Sequence, residues 1–383
     1  MKDETKSISV GRGDSQHYGS VNMPVYHTST ILFPRLQDLR NRASTPYRYG
    51  RSGTPTSTAL EEAITALENA AGCVITPSGL SAVTIAILSV AKSGDHILVA
   101  DSVYTPTRRF CDTTLRQMGV EAQYYDPLIG ADIATHIRPN TSLIFTESPG
   151  SHTFEVQDIP ALCAVAKQHN IKTAIDNTWG SCINFKPFAH GLDISATAAT
   201  KYIVGHSDAL LGVITANAET IEAVRDIHRQ LGICAAPDDI YLALRGLRTL
   251  PTRLEKHETT ALAIAQWLQG LSFVRRVLFP ALPDAQGHDL WKRDFEGAAG
   301  LFSIELDPCT EAQLAAMLDD MAHFSMGYSW GGYESLIVPC AINRSINPDR
   351  FDTGGQYLRL NIGLENKDDL IADLQDGFAR AGY

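Results

Sequence analysis

Residues 197–208 read TAATKYIVGHSD, and they set one lysine, Lys201, among Ala, Thr and Ile. A lysine is ordinarily a solvated surface residue. The run Ile194–Thr200 has the short apolar character of a strand, so Lys201 follows a strand end. Open α/β sheets bind ligands beyond the carboxyl ends of their strands. Whether Lys201 sits at such a place depends on what flanks it.

The flanks alternate. Short apolar runs at Cys73–Thr76, His96–Ala100, Glu121–Tyr125, Leu143–Thr146, Thr173–Asp176 and Leu211–Ala216 predict strands. Helical spacing fills Leu80–Ala91, Pro106–Gly119, Pro160–His169 and Ile221–Leu231. Such alternation predicts an α/β domain with a mostly parallel sheet. Thr58 and Glu61 have capping-box spacing ahead of an apolar face of Leu60, Ile64 and Leu67, and Gly72 supplies a stop. Residues 1–57 lack periodicity and predict an extended arm. Residues 58–250 form the expected large domain. A helical stretch from about Asp238 to Leu271, broken at Pro251, leads into a smaller α/β domain over 251–383. That domain carries strands at Leu301–Leu306 and Leu358–Ile362.

The totals narrow the function. The chain has 383 residues, 44% of them hydrophobic, which exceeds the ~100–200 residues usual for one domain. A net charge of -11 argues against nucleic-acid or anionic-membrane partners. The longest apolar run, Ala82–Ala91, is far short of the ~20 residues that span a membrane. Seven cysteines without a C-x-x-C, and an N-terminus without an apolar signal core, predict reduced thiols in a cytoplasmic protein. The 12 histidines form no H-E-x-x-H, so no metal site is expected. No G-x-G-x-x-G follows a strand, which disfavours a nicotinamide dehydrogenase.

Lys201 has two readings: a strand-end lysine in solvent, or a desolvated amine that attacks a carbonyl. Asp176, which ends the run IKTAID, favours the second. A Schiff-base lysine with an Asp that protonates a pyridine nitrogen is the pattern of pyridoxal 5'-phosphate (PLP). Other residues fit that pattern, each beside a plainer reading. In TPSGLSAV (76–83) Gly79 opens a helix whose amides suit a phosphate, or is an ordinary strand–helix turn. Tyr104 stacks on a flat ring, or caps a helix. In YRYGRSGTPT (47–56) Arg51 offers a phosphate-binding fork, or lies on the surface. Arg359, among leucines in QYLRLNIGLE, needs an anion: a substrate carboxylate or an internal acid. The stretch Gly327–Gly331 fits the hydrolase elbow G-x-S-x-G. The hydrolase fold puts its histidine after the serine, and the last histidine here is His323.

Taken together, GSVNMPVYHTST, YRYGRSGTPT, TPSGLSAV, AIDNTWG, ATKYIVGHSD, LRGLRTLPTRLEKH and LRLNIGLE resemble the Cys/Met-metabolism family of PLP enzymes. The resemblance spans nearly the whole chain. It implies a fold type I (aspartate aminotransferase-like) architecture. It implies Lys201 as the cofactor-bearing lysine, Asp176 as the ring-nitrogen partner with Thr178 beside it, and Tyr104 on the ring. Gly79, Leu80 and Thr200 are implied at the phosphate, joined by Tyr49 and Arg51 from a neighbouring subunit of a homotetramer. Ser329 and Arg359 are implied at the substrate carboxylate, with Tyr328, Trp330 and Tyr49 close by. ESPGSHTFEVQDIPA and GYSWGGYESL are most similar to the β-lyase branch. That branch implies α,β-elimination of L-cystathionine, a small sulfur amino acid. Cysteine or cystine β-lysis, cystathionine γ-lysis or γ-synthesis, methionine γ-lysis and a non-catalytic PLP-binding protein are the alternatives. γ-Acting relatives often carry S-P-T-N-P where this chain has Ser148–His152, and many relatives carry Ser where this chain has Ala198.

Overall fold

The computed structural model describes residues 1–13, 15–41 and 45–383. Seven strands form the larger sheet: β1 (Gly72–Thr76), β2 (His96–Ala100), β3 (Glu121–Tyr125), β4 (Thr141–Glu147), β5 (Lys172–Asp176), β6 (Ile194–Thr197) and β7 (Gly212–Ala216). Their order across the sheet is β1-β7-β6-β5-β4-β2-β3. The run β3-β2-β4-β5-β6 is parallel, and β7 pairs antiparallel with both β6 and β1. β2 is buried at every residue, as befits a continuous apolar strand inside an α/β layer. The carboxyl ends of β4, β5 and β6 come together, and the site lies there.

Three predicted boundaries move. The first long helix spans Pro55–Glu68, with Thr54 as its cap. The capping box is Thr54 with Ser57, so Thr58 and Glu61 lie inside the helix. Proline suits the first helical position because that N–H has no partner in any case. The stretch after Asp238 forms helices Pro237–Leu247 and Leu250–Gln269. The break falls at Arg248–Thr249, and Pro251 sits in the first turn of the second helix, where it costs no hydrogen bond. β6 stops at Thr197 rather than at Thr200, because the chain turns there to present Lys201.

A second sheet is antiparallel throughout: β8 (Val274–Leu278), β9 (Leu301–Leu306), β10 (Leu336–Pro339) and β11 (Gln356–Asn361), in the order β10-β11-β9-β8. β8 reads VRRVL, and its two arginines hide it from apolar patterning. Arg276 lies over Glu305 of β9 at 2.5 Å, which accounts for a charge on that strand. Among the described residues no helix is long and apolar enough to cross a membrane.

Candidate active site

A cavity of about 230 Å³ opens beyond the ends of β4, β5 and β6. Its lining includes Gly79, Tyr104, Asp176, Lys201, Trp330 and Arg359. Asp176 ends β5. Thr178 fixes it with two donors, its backbone N–H at 3.0 Å and its hydroxyl at 2.5 Å, both to Oδ1. The Thr178 hydroxyl oxygen also accepts the Ala198 N–H at 2.9 Å, which ties β5's loop to the turn that carries Lys201. In that turn Thr200 is clamped to Leu211 through its hydroxyl, which donates at 3.1 Å and accepts at 2.9 Å.

Burial pushes the Lys201 amine down to about 8, with the Arg359 cation acting in the same direction and Asp176 opposing. Asp176 is itself raised by burial, with the Thr178 hydrogen bonds and Lys201 pulling it back. Lys201 Nζ donates to Ser329 Oγ at 2.7 Å and stands 5.3 Å from the centre of the Trp330 ring. Arg359, on β11, donates to the Ser329 carbonyl oxygen at 3.1 Å. Ser329 thus joins the amine to the guanidinium. Its φ of +86° is an unusual conformation for a residue with a side chain. Gly331 follows at φ +82°, and a Cβ there would stand 3.0 Å from the Lys201 carbonyl carbon. Only glycine lets this loop pass so close to the lysine. Among the described residues no carboxylate pairs with Arg359, so its fork faces the cavity without an internal anion.

The opposite wall is the turn from β1 into helix Gly79–Leu88. Ser78 caps that helix by accepting the Ser81 N–H. A Cβ on Gly79 would meet the Ala198 Cβ at 2.3 Å, so glycine is required for the helix start to approach the lysine turn. Among the described residues the Gly79 and Leu80 amides have no partner and suit an anion. Tyr104 lines the wall between, and burial together with the Asp176 and Glu147 carboxyls raises its phenol.

Thr178, Leu80, Thr200 and Trp330 also line this cavity, and Ser329 reaches its lysine. Tyr328 does not line it; its side chain is 94% exposed. Tyr49 and Arg51 lie elsewhere, on a hollow shared with His228 and Arg229, where Arg51 donates to the Arg229 carbonyl at 3.2 Å. Sequence reasoning missed two titratable residues of the lining. Glu147 ends β4 just as Asp176 ends β5, and the strand-end rule applied to LIFTE would have found it. His152 has a buried Nδ1 without a partner and is held neutral down to about 4, chiefly by burial. Its signal was the departure from S-P-T-N-P.

The family described as Cys/Met metabolism PLP-dependent enzyme matches residues 4–379. Cystathionine beta-lyase MetC of Escherichia coli K12 is 43% identical, covering 99% of this chain and 98% of its own. An L-alanine/L-glutamate racemase of Wolbachia pipientis is 42% identical, covering 99% of this chain and 98% of its own. Among solved structures, a cystathionine gamma-lyase from Lactobacillus plantarum, complexed with L-serine, superposes with a TM-score of 0.93. It is 29% identical and covers both chains fully. The chain belongs to the Cys/Met metabolism PLP-dependent enzyme family, has the type I fold, and takes PLP as its cofactor. The cavity fits that cofactor: a desolvated amine for its aldehyde, a buried carboxyl for its ring nitrogen, and free helix amides for its phosphate.

Proposed function

We propose that this member of the Cys/Met metabolism family is a carbon–sulfur β-lyase. With water, it converts L-cystathionine to homocysteine, pyruvate and ammonia. The single observation that carries the reading is the link Lys201–Ser329–Arg359, an amine and a carboxylate-binding fork joined at one serine. The full-length relative named cystathionine beta-lyase supports the substrate.

Lys201 holds PLP and later takes the Cα proton. A pKa near 8 suits a base working close to neutrality. Bound PLP supplies a sink for the electron pair left at Cα. Asp176, steadied by Thr178, holds the proton on the ring nitrogen. Gly79, Leu80 and Thr200 bind the phosphate. Arg359 grips the substrate carboxylate, with the Ser329 carbonyl fixing its fork and Trp330 alongside. That grip orients the Cα–H bond toward Lys201 and lowers the entropic part of the barrier. Tyr104, whose phenol stays protonated, gives a proton to the leaving sulfur. Tyr49, Arg51 and Tyr328 act at a partner subunit's site or at the cavity mouth, in a cytoplasmic homotetramer. Of the expected divisions (arm 1–57, PLP domain 58–250, C-terminal domain 251–383), the first falls back to Thr54, which caps the helix Pro55–Glu68.

A second reading has one specific support, the racemase relative. Removal of the Cα proton is common to racemisation and elimination. D-alanine formed from L-alanine at rates above those of elimination would favour it.

The Lys201→Ala variant is expected to lose both turnover and the visible absorbance of lysine-bound PLP. Elimination at wild-type rates in that variant would contradict the proposal.

A further inference from the structure

The cavity floor carries two carboxyl groups, and the chemistry above uses one. β4 and β5 are parallel neighbours, and Glu147 pairs in register with Asp176. Neighbouring strands lie ~4.8 Å apart, with in-register side chains on the same face. Both acids line the cavity.

Their surroundings differ. Asp176 accepts two hydrogen bonds from Thr178 and feels the Lys201 cation. Glu147 Oε2 accepts one, from the Tyr104 backbone N–H at 2.7 Å. The cation nearest to helping Glu147 is Arg344, and it is already committed to Glu155 at 3.1 Å and to the Asp101 carbonyl at 2.7 Å. Two carboxylates in one desolvated site do not both ionise; they share a proton. The proton goes to the acid with fewer donors.

We infer that Glu147 is a positioning residue: it keeps a proton on the cavity floor, anchors Tyr104 through its N–H, and leaves Asp176 as the floor's single anion. Burial and the Asp176 charge push the Glu147 carboxyl well above the usual carboxylate range, in agreement with this geometry. The other charged or titratable groups of the cavity are the Tyr104 phenol, Lys201, Arg359 and His152. Tyr104 is the N-cap of helix Thr105–Phe110, so an acceptor for its N–H sets where that helix starts and where the ring stands. The inference rests on the reading of this cavity as the PLP site.

The test compares Glu147→Gln with Glu147→Ala in the holoenzyme. The readouts are PLP release on equilibrium dialysis, circular dichroism of the bound cofactor, and the infrared carbonyl band of a protonated carboxyl. Glu147→Ala removes the acceptor that fixes the Tyr104 N–H and should weaken PLP retention about tenfold. Glu147→Gln is neutral and keeps the acceptor, so it should recover most of that loss and restore the dichroism. The infrared band should be present in the wild type and missing in Glu147→Gln. A Gln variant as weak as the Ala variant would mean that the charge is needed, and would overturn the inference. So would a wild type without the band, or an Ala variant that holds PLP normally. Wild-type protein that binds no PLP at Lys201 would instead overturn the reading underneath.

Discussion

Lys201 is a lysine whose surroundings work against its charge. Burial removes water from the ammonium, and the Arg359 guanidinium repels it; Asp176 offsets only part of this. With the amine at about 8, roughly a tenth of chains carry it neutral at pH 7, against fewer than about one in a thousand for a free lysine. Only the neutral amine attacks an aldehyde. The rate of PLP capture by the apoprotein should therefore rise with pH and level off through a midpoint near 8. A rise that continues toward 10.5, the ordinary lysine value, would show that the amine is solvated after all. The sequence already pointed here, because Lys201 follows a strand and Asp176 ends one. It could not reveal Ser329 as the link, since that contact spans 128 residues and needs a backbone at positive φ.

At the scale of elements, the strand ends are aligned by short side chains that bridge loops. Thr178 is the clearest: one hydroxyl donates to Asp176 and accepts from Ala198. Thr178→Val keeps the shape and removes both bonds, leaving the half-buried Ala198 N–H without its acceptor. A stability loss of ~1–3 kcal/mol is expected by denaturant titration, with faster loss of PLP on dialysis. Unchanged stability and retention would assign the alignment to the sheet alone. The inner parallel strands were legible because buried α/β strands are continuous apolar runs, and β2 matched its predicted bounds; the edge strand β3, only partly buried, matched as well. β8 and β10 were not, since one mixes arginine with valine and the other is four residues long. Glu147 escaped notice because the predicted strand stopped at Thr146, one residue short of the strand end; only its pairing with Asp176 depends on the register of the folded sheet.

At the scale of the whole molecule, two residues expected at the site lie apart from it. Tyr49 and Arg51, expected at the phosphate, lie on a hollow away from their own Lys201. If each arm serves the partner subunit's site, two crippled chains can complement. Lys201→Ala and Arg51→Ala should each be impaired alone and regain activity when co-refolded, because a mixed dimer then holds one site with both residues. No recovery would place each arm with its own chain. The central claim is where the carbon–sulfur bond breaks, and the direct measurement is product analysis on L-cystathionine with PLP-loaded wild-type protein. Pyruvate, ammonia and homocysteine are the expected products. Cysteine with 2-oxobutyrate would move the cut to the γ-carbon and contradict the claim.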